Sequence, residues 1–390
     1  MPNSWTRRAQ EIDSFKVMDL LKRASELAAQ GLDVVHMGAG EPDFGAAPAV
    51  VDRARTTLDR VSLTYTAAGG IQPLRQAIAD FHRQRYGHVI TPDQVLVTAG
   101  ASAGLMLAFA LVAEQGSNFL MADPAYPCNR QFLRLIEARA KLVPVDHQQN
   151  YQLSAELVEQ FWDEKTSGVL IASPANPTGA VIDPLELARI AAVVKAKGGT
   201  LIVDEIYHGL TYGVETPTAI SIDADAIVIN SFSKYFGMTG WRLGWLVGSA
   251  KAIAEMEKMA QNLFISAPTL SQYSALAAFE SDAISLFEER RSELMARRDL
   301  LLEGLKQLGF KVPRTPEGAF YIYADASDLT DDSFSWCWSL LEEAQVVATP
   351  GADFGDNHAH RYVRFAYTTS QDRIREALER MARFIERQTA

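Results

Sequence analysis

Between about residue 90 and residue 250 the chain repeats one pattern: a short β-rich run, a small turn, then a longer stretch of helical character. The runs are VLVT (95–98), NFLMA (118–122), GVLIA (168–172), TLIVD (200–204), AIVIN (226–230) and GWLVG (244–248). Several are continuously apolar, as strands covered on both faces should be. The stretches 101–115 and 183–198 read as intervening helices. The second opens on Asp183 as N-cap with Pro184 in the first turn and stops at Gly198. Strands alternating with helices predict a mainly parallel α/β sheet. After about residue 270 the pattern changes. A charged helical stretch (279–307) leads into AFYIYAD (319–325), a helix, VVATPG (346–351), RYVRFAYT (361–368) and a closing helix. That order predicts a smaller α+β domain. A helix over about 14–30 cannot bury a face alone and is expected to pack there too.

A length of 390 residues favours two domains. The net charge of −11 argues against nucleic acid as a main partner, because phosphate binding needs a basic footprint. No apolar run reaches membrane-spanning length. The opening MPNSWTRRAQEIDSF lacks the apolar core of a signal peptide. Two cysteines, Cys128 and Cys337, cannot form a disulfide framework, so a cytoplasmic location is expected.

In open α/β sheets ligands bind beyond the carboxyl ends of the strands, and here those ends carry chemistry. VLVT runs into Gly100-Ala101-Ser102 and a helix start, whose N–H groups suit an anionic phosphate; an ordinary turn is the competing reading. NFLMA is followed by Tyr126, able to cover a flat ring or simply to sit half-buried. GVLIA leads to Asn176 in a loop braced by Pro174, Pro177 and Gly179, which also suits a plain turn. TLIVD ends in Asp204, then Glu205, Ile206 and Tyr207. A carboxylate ending an apolar strand needs a partner, either a cationic ring nitrogen or the N–H groups of a cap. AIVIN runs into Ser231, Phe232, Ser233 and Lys234. A lysine among aromatics has its pKa lowered, which favours Schiff-base chemistry, whereas a solvated loop lysine would not. Arg242 follows eight residues later, as a phosphate contact or a surface arginine. Pyridoxal phosphate (PLP) chemistry needs this set: an imine-forming lysine and an acidic partner for the ring nitrogen.

The chain resembles the class I/II aminotransferases of PLP fold type I, aspartate aminotransferase-like, over nearly its whole length. The resemblance rests on Gly40-Glu41-Pro42-Asp43-Phe44, Tyr65, Gly100-Ala101-Ser102, Asn176-Pro177-Thr178-Gly179, Asp204-Glu205-Ile206-Tyr207, Ser231 to Lys234, Gly240-Trp241-Arg242 and Arg364, in that order and spacing. It implies a large domain (39–278) with a seven-stranded sheet between helices, and a small domain formed by 1–38 and 279–390. It also implies that Lys234 forms the Schiff base and moves the proton between substrate and cofactor, while Asp204 pairs with the pyridinium nitrogen. Asn176 and Tyr207 would bond the phenolic oxygen, and Tyr126 would stack on the ring. Gly100, Ala101, Ser102, Ser231 and Arg242 would form the phosphate site. Tyr65 would reach the neighbouring subunit's phosphate, which implies a homodimer. Arg364 would clamp the substrate carboxylate with help from Gly40 and Asn176, although alternation along RYVRFAY equally allows it a solvated strand face.

The activity implied is two-step transfer of an amino group from an L-amino acid to a 2-oxo acid, through pyridoxamine phosphate. A β-eliminating C–S lyase on the same fold shares the cofactor residues and stays open at this point. A PLP-binding transcription regulator would need a DNA-binding domain, and only residues 1–37 precede Gly38. A NAD-dependent dehydrogenase would need a G-x-G-x-x-G turn after the first strand, which is missing. His358 and His360 read as exposed loop residues rather than metal ligands. The cover expected over the site, Ser14 to Met18, is mostly apolar apart from Lys16, although Phe15, Val17 and Met18 equally suit plain helix packing. That favours neutral or hydrophobic amino donors, with 2-oxoglutarate or pyruvate as acceptor.

Overall fold

The computed structural model describes residues 5–389; residues 1–4, the start of the stretch expected to carry no signal peptide, and residue 390 lie outside them. The twelve strands among the described residues are β1 (Val35–His36), β2 (Val95–Thr98), β3 (Asn118–Asp123), β4 (Arg139–Pro144), β5 (Thr166–Ala172), β6 (Thr200–Asp204), β7 (Ile227–Ser231), β8 (Gly244–Val247), β9 (Tyr321–Asp325), β10 (Val346–Val347), β11 (Thr349–Pro350) and β12 (Tyr362–Ala366).

Seven of them form the central sheet, in the order β2-β8-β7-β6-β5-β3-β4. β3 to β7 are mutually parallel, while β8 runs antiparallel to both β2 and β7. The expected α/β class and mainly parallel seven-stranded sheet are therefore present. The continuous apolar runs have a simple cause. Val169, Ile171, Leu201, Val203 and Val228 point into one core, and the alternating Leu170, Ile202, Ile227 and Ile229 into a second on the other face.

The sequence runs do not include β4. It lies at the sheet edge and pairs only with β3, so it alternates polar and apolar residues. Its Lys141 is held outside the core by Asp163 at 2.6 Å. Other differences concern element ends. The helix expected over 101–115 stops at Val112, before the turn at Gln115 and Gly116. The strand expected from 319 starts at Tyr321, because Ala319 has φ +58° and breaks the extended run. The strand expected over 226–230 is shifted by one, so Ser231 is its last residue.

Beyond the central sheet, β11-β12-β9 form an antiparallel sheet, and β1 pairs in parallel with β10. The long helix Ser281–Gln307 packs against Gln371–Thr389. Helix Lys16–Ala29 buries Leu20, Ala24 and Leu27 and meets β10, β11 and the helix Ser333–Ala344. No helix among the described residues is long and apolar enough to cross a membrane.

Candidate active site

The carboxyl ends of the parallel strands put Thr98, Asp123, Ala172, Asp204 and Ser231 on one edge of the central sheet. Because β8 is antiparallel, its amino end lies at that same edge, with Gly244 opposite both Ser231 and Thr98. A residue just before β8 is thereby delivered to the ligand side, and that residue is Arg242. It has φ +51°, a left-handed turn conformation that aims its side chain back over the edge. A β-carbon on Gly100 would stand 2.7 Å from Arg242 Nη2, so glycine is what lets the guanidinium lie against the start of helix Ala101–Val112.

These strand ends open into a cavity of about 490 Å³. Ala101, Ser102, Tyr126, Asn176, Asp204, Tyr207, Ser231, Lys234, Arg242, Gly40 and Arg364 line it. Gly100 stands immediately behind that lining, against Arg242. Tyr65 is the expected site residue that does not reach the cavity within one chain; it is 78% exposed.

Lys234 Nζ donates to the Gly40 carbonyl at 2.6 Å and faces the rings of Tyr207 and Phe320 at 5.9 and 5.7 Å. Burial lowers its pKa to about 8; the Glu41 charge opposes that fall, and the Arg364 and Arg242 charges add to it. Asp204 is buried, and its Oδ1 accepts from the Ile206 N–H at 3.1 Å. Burial raises its carboxyl to about 6, against the pull of that N–H and of the Lys234 charge. It thus makes a local cap-like bond and also faces the cavity. The Tyr207 and Tyr321 hydroxyls are 2.9 Å apart. Ser231 Oγ donates to the Leu243 carbonyl at 3.1 Å and accepts from the Ser233 N–H, which fixes the turn leading to Lys234.

Arg364 is only 5% exposed, so the solvated reading of its strand face does not hold. Nη1 donates to Asn176 Oδ1 at 2.9 Å, and Nη2 to the Gly38 carbonyl at 2.6 Å. Tyr321 and Phe354 flank the guanidinium at 4.3 and 4.7 Å. The lining positions that escaped the sequence reading include Tyr321, Thr349 and Asp353. Tyr321 had one signal, an aromatic at both odd positions of Tyr-Ile-Tyr; the other two carried none.

Phe15, Val17 and Met18 line the mouth of the cavity, as expected of the cover, together with Leu21. Lys16 turns away, with Nζ 5.7 Å from the Phe334 ring. His358 and His360 are exposed.

Residues 32–381 match the family model described as aminotransferase class I and II. The chain is 38% identical over 376 residues to a valine–pyruvate aminotransferase of Mycobacterium tuberculosis, covering 96% of this chain and 97% of that one. It is 35% identical to an aspartate aminotransferase of Thermotoga maritima, covering 97% of this chain and 99% of the relative. Among solved structures, an aminotransferase from Mycobacterium tuberculosis superposes with a TM-score of 0.96 at 37% identity, over 99% of this chain and 100% of the other. The aspartate aminotransferase of Thermus thermophilus with maleate superposes with a TM-score of 0.92 at 32% identity, over 98% and 99%.

Proposed function

The chain belongs to the class I and II aminotransferases, and on that premise we propose how its own residues carry out the transfer and which donors they admit. It is a transaminase, moving an amino group between an amino acid and a 2-oxo acid, in a family that depends on PLP. The observation that carries the assignment of residues is the single cavity into which Lys234, Asp204, Arg242 and Arg364 all open.

The residues fit PLP. At one end a helix start, Ser102 and Arg242 converge where a side chain at Gly100 would intrude, a cradle for a phosphate. A buried carboxylate, Asp204, lies in the same cavity for a ring nitrogen, and Lys234 supplies a buried amine. When bound, the cofactor supplies an aldehyde carbon and a pyridine ring that accepts the electron pair left at the substrate α-carbon.

Lys234, whose buried Nζ opens into the cavity, would be the residue that holds the cofactor. Its lowered pKa would suit that amine to take the α-proton and to return it at the former aldehyde carbon, on the far side of the shared nitrogen. The Gly40 carbonyl orients that amine. Asp204, ionised beside a bound ring nitrogen, would keep a proton on it through neutral pH. Tyr207 and Asn176 would donate to the phenolic oxygen, and Tyr126 would cover the ring. Arg364 takes the α-carboxylate, held in place by Asn176, Gly38 and the two flanking rings.

The donors are neutral, apolar amino acids, with pyruvate or 2-oxoglutarate as acceptor. Phe15, Val17, Met18 and Leu21 at the mouth support this, as does the similarity to a valine–pyruvate aminotransferase. Residues 39–278 form the cofactor-binding domain, and the described residues of 1–38 and 279–390 the smaller one. The enzyme works as a homodimer in the cytoplasm. Leu63, Tyr65, Leu263 and Ile265 leave large apolar surface exposed, and the Thr269 hydroxyl bonded to the Thr64 carbonyl at 2.7 Å ties the Tyr65 loop to helix Thr269–Ala275. Tyr65 would complete the partner's phosphate site. Unpaired Cys128 and Cys337 accord with a reducing compartment.

The test is borohydride reduction of the yellow protein and peptide mapping, with label expected on Lys234. An amino-donor screen followed by cofactor absorbance should rank valine-like donors above aspartate. Label on another lysine overturns the assignment, and preference for aspartate overturns the donor class.

A further inference from the structure

Helix Lys16–Ala29 provides the apolar cover of the cavity, yet its N-cap residue, Phe15, has no oxygen to offer its free N–H groups. The cap comes instead from a residue more than three hundred positions later. Asp353 Oδ1 accepts from the Lys16 N–H at 2.7 Å, and Oδ2 from the Val17 N–H at 2.9 Å. Asp353 is only 4% exposed and itself lines the cavity. Its carbonyl accepts from Arg130 Nη2 at 3.0 Å, which fixes the short turn Gly351–Asp353 that carries it. Its chain neighbour, Phe354, lies on the Arg364 guanidinium.

Resting on the reading of apolar donors, we propose that Asp353 is a specificity-determining residue, which caps the cover helix from across the chain and denies the mouth of the cavity to a second substrate carboxylate. Two physical effects combine. Two charge-assisted hydrogen bonds seat Phe15, Val17 and Met18 over the site. A helix start also attracts anions through its N–H groups and dipole, and here a resident carboxylate occupies it. Among the described residues the cations lining the cavity are Lys234, Arg242 and Arg364, each already engaged with cofactor or α-carboxylate in the reading above. An acidic donor side chain would meet Asp353 rather than a cation.

The experiment compares holoenzyme with the Asp353→Ala and Asp353→Asn variants, using valine and aspartate as donors and amide hydrogen exchange over residues 15–21. In Asp353→Ala the KM for valine should rise about tenfold with kcat within about twofold, because the cover is loosened while the chemistry is untouched. The aspartate-to-valine ratio of kcat/KM should rise about tenfold, and exchange over 15–21 should quicken. Asp353→Asn keeps the shape and one acceptor, so it should move all three in the same direction by less. It also serves as the test if the alanine variant does not fold. An unchanged donor ratio with unchanged exchange overturns the proposal, as does a loss confined to kcat for both donors. A wild-type enzyme that prefers aspartate defeats the donor reading itself. A wild type that prefers valine beside a variant with the same ratio defeats only the role of Asp353.

Discussion

Asp204→Asn should make the cofactor-free protein more stable and the enzyme nearly inactive. Asparagine keeps the side-chain shape and the oxygen that accepts from the Ile206 N–H. It removes a buried negative charge. The wild-type carboxyl is raised by burial from 3.8 to about 6. An anion displaced that far is destabilised in the folded state by about 3 kcal/mol, at 1.36 kcal/mol per tenfold change in acidity. The sign follows from where the protons sit. Below pH 3.8 the carboxyl is neutral whether folded or unfolded, and no penalty exists. Between 3.8 and about 6 the unfolded chain gives up its proton while the folded one keeps it, so wild-type stability falls as pH rises. Above about 6 the penalty is complete. The variant lacks it, so its advantage should grow through that window and level off near 3 kcal/mol, about a fifth or more of a typical folding free energy. The assay is urea unfolding of cofactor-free protein at several pH values, paired with the rate of the first half-reaction at saturating donor. That rate should fall about a hundredfold or more, the scale for removing a major electrostatic stabiliser. Equal stability of variant and wild type at about pH 7.5 would falsify the buried-charge argument. A half-reaction within a few-fold of wild type would make Asp204 a structural cap.

Lys234, lowered from 10.5 to about 8 by burial, should make recombination of cofactor-free protein with PLP faster as pH rises, levelling off just above about 8; a rate still climbing towards 10.5 in stopped-flow absorbance would show an ordinary lysine. Arg364→Lys keeps the charge but loses the forked geometry that engages Asn176 and Gly38. The KM for the amino donor should rise about a hundredfold, near 3 kcal/mol, with a smaller change in kcat, as read from steady-state kinetics. Gly40→Ala would place a methyl 2.3 Å from the Tyr321 hydroxyl and should depress kcat/KM severely. Adding Tyr321→Phe removes the clashing oxygen, leaving the ring carbon at 3.4 Å, so the double variant should regain activity over Gly40→Ala. Tyr321→Phe alone should lose about tenfold, through the lost bond to Tyr207.

Several site residues were legible because they sit at places that local pattern marks. Asp204 and Ser231 end apolar strands, Ala101 and Ser102 open a helix, and Lys234 follows three residues after a strand. Strand ends in a parallel sheet share one edge by construction, so finding the strands already places these groups together. The family motifs then assigned their roles. The edge strand β4 was missed for the converse reason: its half-exposed alternation with Arg139 and Lys141 carries no mark of a buried run.

What the sequence by itself determined was the alternating architecture and the set of reactive groups along its ligand edge, since both depend on residues close in the chain. Whether Arg364 met solvent or substrate was decided only in three dimensions. Either face of β12 suits its alternation, and burial came from Tyr321 and Phe354 folding onto the guanidinium. Arg242 reaches the site because β8 inserts antiparallel between β2 and β7, a choice of topology that no local run encodes. Asp353 caps a helix that begins at residue 16, a contact created when the two ends of the chain pack together. Local periodicity reports which face of an element is apolar; which distant element covers that face, and with which polar group, is settled by packing alone.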